Sequence, residues 1–153
     1  MNRAINVVFV CHGNICRSPM AEFVFKDIIN KKEKSEKYKV TSFATSFEEI
    51  GNDVYPNAKE VLRKNNIPFS RREATRIKKE DYNNADIVLV MDNYNYSNLA
   101  RIVNDDKKVR LLGEFAHLRE ISDPWYTRQF DQCFREIKQS CEKLFEYLEE
   151  KYA

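Results

Sequence analysis

Near its start the chain carries the apolar run Ile5-Asn6-Val7-Val8-Phe9-Val10, which leads directly into Cys11-His12-Gly13-Asn14-Ile15-Cys16-Arg17-Ser18-Pro19. A short, β-branched and nearly continuous apolar run is typical of a strand that is covered on both faces of a parallel sheet. From Pro19 onward the apolar residues follow a helical spacing. We therefore predict a strand, a loop and a helix in succession, with Ser18 as the N-cap and Pro19 as the first helical residue.

The rest of the chain alternates between the same two patterns. Further strands are predicted at residues 38–45, 86–91 and 109–112, and further helices at residues 56–65 and 94–103. A long closing helix carries an apolar stripe with spacings of four and three residues, formed by Phe130, Phe134, Ile137, Cys141, Leu144 and Leu148. Four strands and about five helices predict a single α/β domain over residues 1–153, with a small doubly wound parallel sheet.

The composition narrows the function classes. A length of 153 residues fits one domain, and a formal net charge of +2 lacks the strongly basic character of a dedicated nucleic-acid binder. No apolar stretch has membrane-spanning length, and the run at residues 5–10 is too short for the core of a signal peptide. We expect a cytoplasmic protein with neither nucleic acid nor membrane as a partner. The 4 cysteines are too few for a disulfide scaffold.

The loop at residues 11–17 carries the chemistry. In a doubly wound sheet, ligands bind beyond the carboxyl ends of the strands, and this loop joins such an end to a helix N-terminus. Inward-facing amides, the positive helix end and Arg17 together form a cradle for phosphate. Thiols near a helix N-terminus or an arginine ionise readily, so we expect Cys11 to be a thiolate at neutral pH. A thiolate in such a cradle predicts nucleophilic attack on phosphorus.

The segment from Val10 to Glu22 resembles the phosphate-binding loop of the low-molecular-weight protein tyrosine phosphatases, and the resemblance extends over essentially the whole chain. Asp123-Pro124, which begins 112 residues after Cys11, matches the Asp-Pro motif of that family. The resemblance implies a sheet in the order 2-1-3-4 and hydrolysis of phosphotyrosine and aryl phosphates. It implies a phosphocysteine on Cys11, charge stabilisation by Arg17, and Asp123 as general acid and base. Cys11, His12 and Cys16 could suggest a metal site, but the sequence has no second cluster of ligands, so we expect neither a metal nor a cofactor.

The same resemblance implies supporting roles. Asn14 and Ser42 would hold the loop in its strained shape, while Ser18 would stabilise the thiolate and Asp92 would hold Arg17. The full set expected to bind phosphate or support the loop is His12, Gly13, Asn14, Ile15, Cys16, Ser18, Ser42 and Asp92. The expected walls of an aromatic pocket are His12, Phe47, Trp125 and Tyr126. The chain departs from the family pattern at Ser70-Arg71-Arg72, where many members have a pair of histidines, so the hydrogen bonding behind the loop stays open.

Several features have two interpretations. Cys16 is either a packing residue or the partner that traps oxidised Cys11 as a disulfide, and we favour the second because both thiols lie in one loop. His12 either tunes the charge preference with pH or is an exposed loop residue without a special role. Tyr126 is either a phosphorylation site or, as we favour, a rim aromatic. A docking patch for acidic phosphopeptides or, as we favour, a solvated face is formed by Arg71, Arg72, Arg76, Lys78 and Lys79.

Other functions that use a similar loop are disfavoured by particular residues. Arsenate reductases coupled to thioredoxin need two further cysteines near residues 78–91, and this segment has none. Protein-arginine phosphatases carry Thr at the position of Ile15. A module that binds phosphate or senses oxidation without turnover has no use for Asp123. We therefore expect a phosphatase that acts on phosphotyrosine-containing proteins, as a monomer or a weak dimer.

Overall fold

A computed structural model describes residues 3–153 of the chain. Met1 and Asn2, with which the predicted domain begins, lie outside the described residues. The strands are β1 (Ile5–Cys11), β2 (Tyr38–Ala44), β3 (Ile87–Val90) and β4 (Val109–Leu111). They form one sheet in the order β2-β1-β3-β4, and every pair is parallel. The predicted parallel sheet and its strand order are confirmed.

The helices lie on both faces of this sheet. They are α1 (Arg17–Lys31), α2 (Pro56–Lys64), α3 (Lys79–Asn84), α4 (Asn93–Val103), α5 (Pro124–Thr127) and α6 (Phe130–Lys151), and a 3₁₀ helix spans Leu112–Ala116. The sequence did not predict the short helices α3 and α5 or the 3₁₀ helix, because elements of four to six residues are too short to show a helical period.

The central strand β1 explains why its sequence is apolar on both faces. Val7 and Phe9 pack into the core beneath α1 and α6, whereas Val8 and Val10 point to the opposite face and join Leu99 of α4. Alternate residues of a strand face opposite sides of the sheet, so both sets must be apolar when both sides are covered. The stripe predicted for the last helix lies in the first of these two cores.

Helix α1 begins earlier than predicted. Its N-cap is Cys16 and its first residue is Arg17, so Ser18 is already helical and does not cap the helix. The Ser18 hydroxyl points into the loop instead, where its Oγ accepts a hydrogen bond from Asn14 Nδ2 at 2.8 Å. The N-cap prediction for Ser18 is therefore wrong, and the reason is that the loop interior competes for the hydroxyl.

The loops that follow the strands meet at one edge of the sheet. Backbone hydrogen bonds join the loop after β2 to the end of β1, from Thr45 N to Cys11 O at 3.0 Å and from Ser46 N to His12 O at 3.1 Å. Ile121 N donates to Met91 O at 2.8 Å and so draws the segment before α5 to the end of β3. Within residues 3–153, no helix has the length and apolar character needed to cross a membrane.

Candidate active site

Cys11 ends β1 with its sulfur surrounded by donors from the loop. Asn14 N donates to Cys11 Sγ at 3.3 Å and Ser18 N donates at 3.4 Å, while Ser18 Oγ lies 3.0 Å away. Because Ser18 Oγ already accepts from Asn14, its own proton is available to the sulfur. Two amides and a hydroxyl therefore stabilise negative charge on Cys11, which is the arrangement that a thiolate nucleophile needs.

The loop is held from behind by the side chain of Asn14. Asn14 has a φ of 60°, a left-handed conformation that asparagine tolerates better than most residues. Its Nδ2 donates to Ser42 Oγ at 3.0 Å as well as to Ser18, and its Oδ1 accepts from Thr75 N at 3.2 Å. The Asn14 side chain thus ties the loop to β2 and to the segment that follows residue 70.

Arg72 completes this support with a positive charge. Its Nη2 donates to Asn14 Oδ1 at 2.9 Å and its Nη1 donates to Ser42 Oγ at 2.7 Å. The Ser42 hydroxyl in turn donates to Glu22 Oε1 at 2.5 Å, and Lys26 Nζ binds the other oxygen of Glu22 at 2.6 Å. The hydrogen bonding left open by the sequence is therefore made by a guanidinium paired with a buried carboxylate.

Arg17 is fixed by contacts from two distant segments. Its Nη1 donates to Asp92 Oδ2 at 2.9 Å and to Ile121 O at 2.7 Å, and its Nη2 lies 3.3 Å from Asp123 Oδ2. Burial of the guanidinium disfavours its charge, but the negative charges of Cys11, Asp123 and Asp92 outweigh this and raise the pKa of Arg17. Arg17 therefore stays cationic at the floor of the site.

Both carboxylates are positioned at the N-termini of helices. Asp92 is the N-cap of α4 and accepts from Asn95 N at 2.7 Å. Asp123 is the N-cap of α5 and accepts from Trp125 N at 3.0 Å, which leaves its second oxygen directed to Arg17. An N-cap aspartate has a fixed backbone position, so each carboxylate can be held in one place relative to the loop.

These side chains surround one cavity of about 580 Å³. The predicted catalytic residues Cys11, Arg17 and Asp123 all line it, and so does Asp92. Of the other predicted residues, those that also line it are His12, Gly13, Ile15, Cys16, Trp125 and Tyr126. Those that lie behind the loop, buried and away from the cavity, are Asn14, Ser18 and Ser42.

Phe47 does not line the cavity, contrary to the prediction. Its ring is exposed and packs beneath the guanidinium of Arg76, with 4.2 Å between the guanidinium carbon and the ring centroid. The wall that Phe47 was expected to form is provided by Tyr94 on α4 and by Glu48 and Glu49. The tyrosine belongs to a helix that the sequence predicted, but its spacing carries no sign of proximity to the loop.

His12 belongs to this wall. Its Nε2 contacts Glu48 Oε2, and its ring centroid lies 6.1 Å from that of Tyr94. Glu49 packs over the neighbouring glycine, because a β-carbon on Gly13 would lie only 3.2 Å from Glu49 Cγ. A β-carbon at position 13 would therefore require the Glu49 side chain to shift by a few tenths of an ångström.

Cys16 also faces the cavity, and all 4 cysteines of the chain are unpaired thiols in this structure. Burial raises the pKa of the Cys16 thiol, and the negative charges of Cys11 and Asp123 raise it further. Cys16 is therefore a protonated thiol at neutral pH. Cys133 and Cys141 on α6 are buried in the core, and Cys141 belongs to the apolar stripe that the sequence predicted.

The arrangement can bind a tetrahedral oxyanion and act on it. A nucleophilic sulfur, loop amides and a buried guanidinium meet at the floor of the cavity, and a carboxyl group stands beside them. Such a set stabilises the equatorial oxygens of a phosphoryl group during in-line attack. Over residues 3–153, no group of three or more His, Cys, Asp or Glu side chains is arranged to hold a metal ion.

Comparison with known sequences finds a family model and several relatives that match most of this chain. A family model described as "Low molecular weight phosphotyrosine protein phosphatase" matches residues 6–153. The Bacillus subtilis low molecular weight protein-tyrosine-phosphatase YfkJ is 37% identical over 145 residues, covering 92% of this chain and 93% of the relative. The human low molecular weight phosphotyrosine protein phosphatase is 39% identical over 142 residues, covering 89% of this chain and 88% of the relative.

The fold agrees with solved structures. The crystal structure of YfkJ from Bacillus subtilis superposes with a TM-score of 0.96 at 31% identity, covering 99% of each chain. A protein tyrosine phosphatase from Entamoeba histolytica superposes with a TM-score of 0.90 at 28% identity, covering 98% of this chain and 100% of the other. The likeness therefore includes every strand and helix that positions the cavity.

Proposed function

Because the chain belongs to the low molecular weight phosphotyrosine protein phosphatase family, we propose that it hydrolyses phosphotyrosine through a phosphocysteine on Cys11. The observation that supports this most strongly is the convergence of Cys11, Arg17 and Asp123 on one cavity. These three residues come from β1, the start of α1 and the start of α5, so only the folded chain brings them together.

In the first step, the Cys11 thiolate attacks phosphorus and forms the S–P bond while the bond to the phenolic oxygen breaks. Arg17 and the loop amides bind the equatorial oxygens, whose negative charge they stabilise. The carboxyl group of Asp123 gives its proton to the leaving oxygen, so the product leaves as a neutral phenol. In the free protein Arg17 Nη2 lies 3.3 Å from Asp123 Oδ2. A bound phosphoryl group would accept the hydrogen bond from Arg17 in place of Asp123.

In the second step, water replaces the thiolate. The Asp123 carboxylate accepts a proton from the attacking water, the O–P bond forms, and the S–P bond breaks to regenerate the Cys11 thiolate and release phosphate. Asn14 and Ser18 hold the leaving sulfur as they hold it in the free protein. No cofactor takes part in this scheme.

The lining of the cavity favours an aryl phosphate. Tyr94, Trp125 and Tyr126 offer ring faces or edges around the opening, and Trp125 is itself supported by Tyr55, with 5.2 Å between the ring centroids. Aromatic side chains bind a phenyl ring better than a short alkyl chain. We therefore propose phosphotyrosine-containing proteins as the substrates. The predicted cytoplasmic location and the monomeric or weakly dimeric state stay predictions.

We also propose that the loop responds to oxidation. Peroxide would convert the Cys11 thiolate to a sulfenic acid, and the Cys16 thiolate would attack its sulfur, release hydroxide and form a disulfide. Both thiols border the same cavity, which supports this pairing. Reduction by an external thiol would restore Cys11, so the modification would be reversible.

The proposed function is tested by measuring hydrolysis of a phosphotyrosine peptide by three variants. Cys11→Ser should abolish turnover, and Asp123→Ala should lower kcat by about 10²–10⁴-fold, as expected for loss of a general acid. Asp131→Ala removes an exposed aspartate from α6 and serves as the matched control with unchanged kcat. Turnover in Cys11→Ser, with the fold verified by circular dichroism, would contradict the phosphocysteine mechanism.

A further inference from the structure

A second cleft lies beside the candidate active site. It has a volume of about 360 Å³ and is open to solvent. Its lining contains two arginines and no carboxylate, and consists of Thr45, Arg76, Asn98, Arg101 and Ile102. The sequence favoured a solvated face for the basic residues at 71–79, but two of them are engaged: Arg72 turns inward to support the loop, whereas Arg76 faces this cleft.

Both arginines of the cleft lack an acidic partner among residues 3–153. Arg76 donates through Nε to Thr45 O at 3.1 Å and stacks on Phe47, which fixes the guanidinium and leaves its two terminal nitrogens without a protein acceptor. Arg101 has only the side-chain amide of Asn98 as a partner. Two guanidinium groups that share one cleft repel each other, and an anion between them would relieve that repulsion.

The cleft adjoins the cavity through two structural elements. On α4, Asn95 lines the cavity whereas Asn98 and Arg101 line the cleft. Along the helix axis, Asn98 lies about 5 Å and Arg101 about 9 Å beyond Asn95. In the loop after β2, Thr45 lines the cleft and Glu48 lines the cavity. A single extended peptide can therefore occupy both, with roughly two to four residues between the two anchored side chains.

We propose that this cleft binds a second phosphoryl group on the same phosphoprotein substrate. A phosphoryl group carries about two negative charges at neutral pH and has three acceptor oxygens, so it can engage both guanidinium groups at once. This inference rests on the proposed function, because the phosphotyrosine must occupy the cavity while the second group occupies the cleft.

The acidic residues of the cavity limit how close the second phosphoryl group can lie to the phosphotyrosine. Glu48 and Glu49 line the cavity, so an anionic residue directly beside the phosphotyrosine would meet like charge. The second phosphoryl group is therefore favoured at a distance from the phosphotyrosine, on the side of α4.

The inference is tested with matched phosphotyrosine peptides that carry phosphoserine, glutamate or alanine three residues from the phosphotyrosine, on either side. The ratio of kcat/KM for the phosphoserine and alanine peptides is measured for each protein, so that a general change in activity cancels. The wild type should prefer the phosphoserine peptide by about tenfold in one of the two orientations, as expected for one or two charge-assisted hydrogen bonds. The preference should shrink as salt is raised, because the cleft is exposed.

The variant Arg76→Gln/Arg101→Gln should bring the ratio close to one, and Arg101→Gln alone should lower it without touching the packing of Phe47. Arg135→Gln removes an exposed arginine from α6 and should keep the wild-type ratio. A wild type without preference in either orientation, or a double variant that keeps it, would overturn the inference. Equal preference for the glutamate peptide would overturn the assignment to a phosphoryl group. A wild type inactive on every peptide would overturn the proposed function itself.

Discussion

Arg72 and Asn14 are 58 residues apart in the chain, yet Arg72 Nη2 donates to Asn14 Oδ1 at 2.9 Å. This contact places a permanent charge behind the phosphate loop, because a guanidinium does not lose its proton at any pH at which a protein folds. Many members of the family carry histidines in this region, and a histidine titrates near neutral pH. In this chain the donor behind the loop is therefore a permanent cation rather than a group that titrates near neutral pH.

We expect Arg72→Met to weaken the loop. The substitution leaves the buried Asn14 Oδ1 with one donor fewer and removes the cation that faces Glu22. Loss of such hydrogen bonds from a charged donor costs about 1–3 kcal/mol of unfolding free energy, and we expect kcat to fall about tenfold. Urea unfolding and steady-state kinetics measure both effects. Arg71→Met changes the exposed neighbour and should alter neither; equal effects of the two variants would contradict the role of Arg72.

Asp53, which accepts a hydrogen bond from the amide of Arg72, should make the stability of the protein depend on pH in the acidic range. Burial alone would raise the pKa of Asp53, but Lys59 and the amides of Arg72 and Val54 lower it to about 2. A carboxyl group whose pKa is depressed by folding stabilises the protein above its unfolded pKa, and this contribution is lost as the pH falls toward the folded value. The difference in unfolding free energy between wild type and Asp53→Asn should therefore be largest above about pH 5 and shrink steadily toward pH 2.

A constant difference over this pH range would contradict the assignment to Asp53. The measurement is urea unfolding in buffers from pH 2 to pH 7. Asp105→Asn offers a comparison, since the Tyr82 hydroxyl donates to Asp105 in the exposed loop after α4 and lowers its pKa too. That variant reports on a carboxylate far from the phosphate loop, so only Asp53→Asn should also change the catalytic rate.

The cavity wall gives a prediction that separates two aromatic residues. Tyr94 lines the cavity, whereas Phe47 is turned toward Arg76. Tyr94→Ala should raise KM for an aryl phosphate several-fold, about the loss expected for one aromatic contact, and Phe47→Ala should change it less than about twofold. Steady-state kinetics with p-nitrophenyl phosphate measure both. A larger effect of Phe47→Ala would restore the original prediction that Phe47 forms the wall.

Oxidation should show a pH dependence that reflects Cys16. Because the pKa of the Cys16 thiol is raised, little thiolate is present at neutral pH, and the fraction grows as the pH increases. The Cys11–Cys16 disulfide should therefore form faster at pH 9 than at pH 7 after a brief exposure to peroxide. Mass spectrometry of the digested protein measures the bond. In Cys16→Ser the bond cannot form, and activity should recover less completely after reduction; full recovery would contradict the protective role.

The sequence predicted the parallel sheet, and the reason is local; the roles given to the site residues stay predictions. Strand β1 must be apolar on both faces to lie inside the sheet, and Cys11 follows it directly, so its place at the carboxyl edge is a consequence of chain order. Asp123 was placed by its Asp-Pro motif, whose aspartate is the N-cap of α5. A pattern whose residues are close together in the sequence can be recognised without knowledge of how the chain packs.

Contacts between distant segments were harder to predict. The inward turn of Arg72 depends on the buried acceptors of Asn14 and Ser42, which no local pattern reveals. Phe47 was expected to line the cavity, but its ring packs against Arg76, and Tyr94, for which the sequence predicted no role, lines the cavity. The one available signal was the departure from the family pattern at residues 70–72, which pointed to the region but not to the contact.

The contacts of Arg17 also bear on how the enzyme becomes active during folding. Its partners Ile121 and Asp123 are 104 and 106 residues away in the chain, so the phosphate loop is complete only after the last segment before α6 has docked. Contacts of such large sequence separation form late and slow the search for the native state. Catalytic competence should therefore arrive last in refolding, and the newly made chain would carry no phosphatase activity until nearly all of it has emerged and packed.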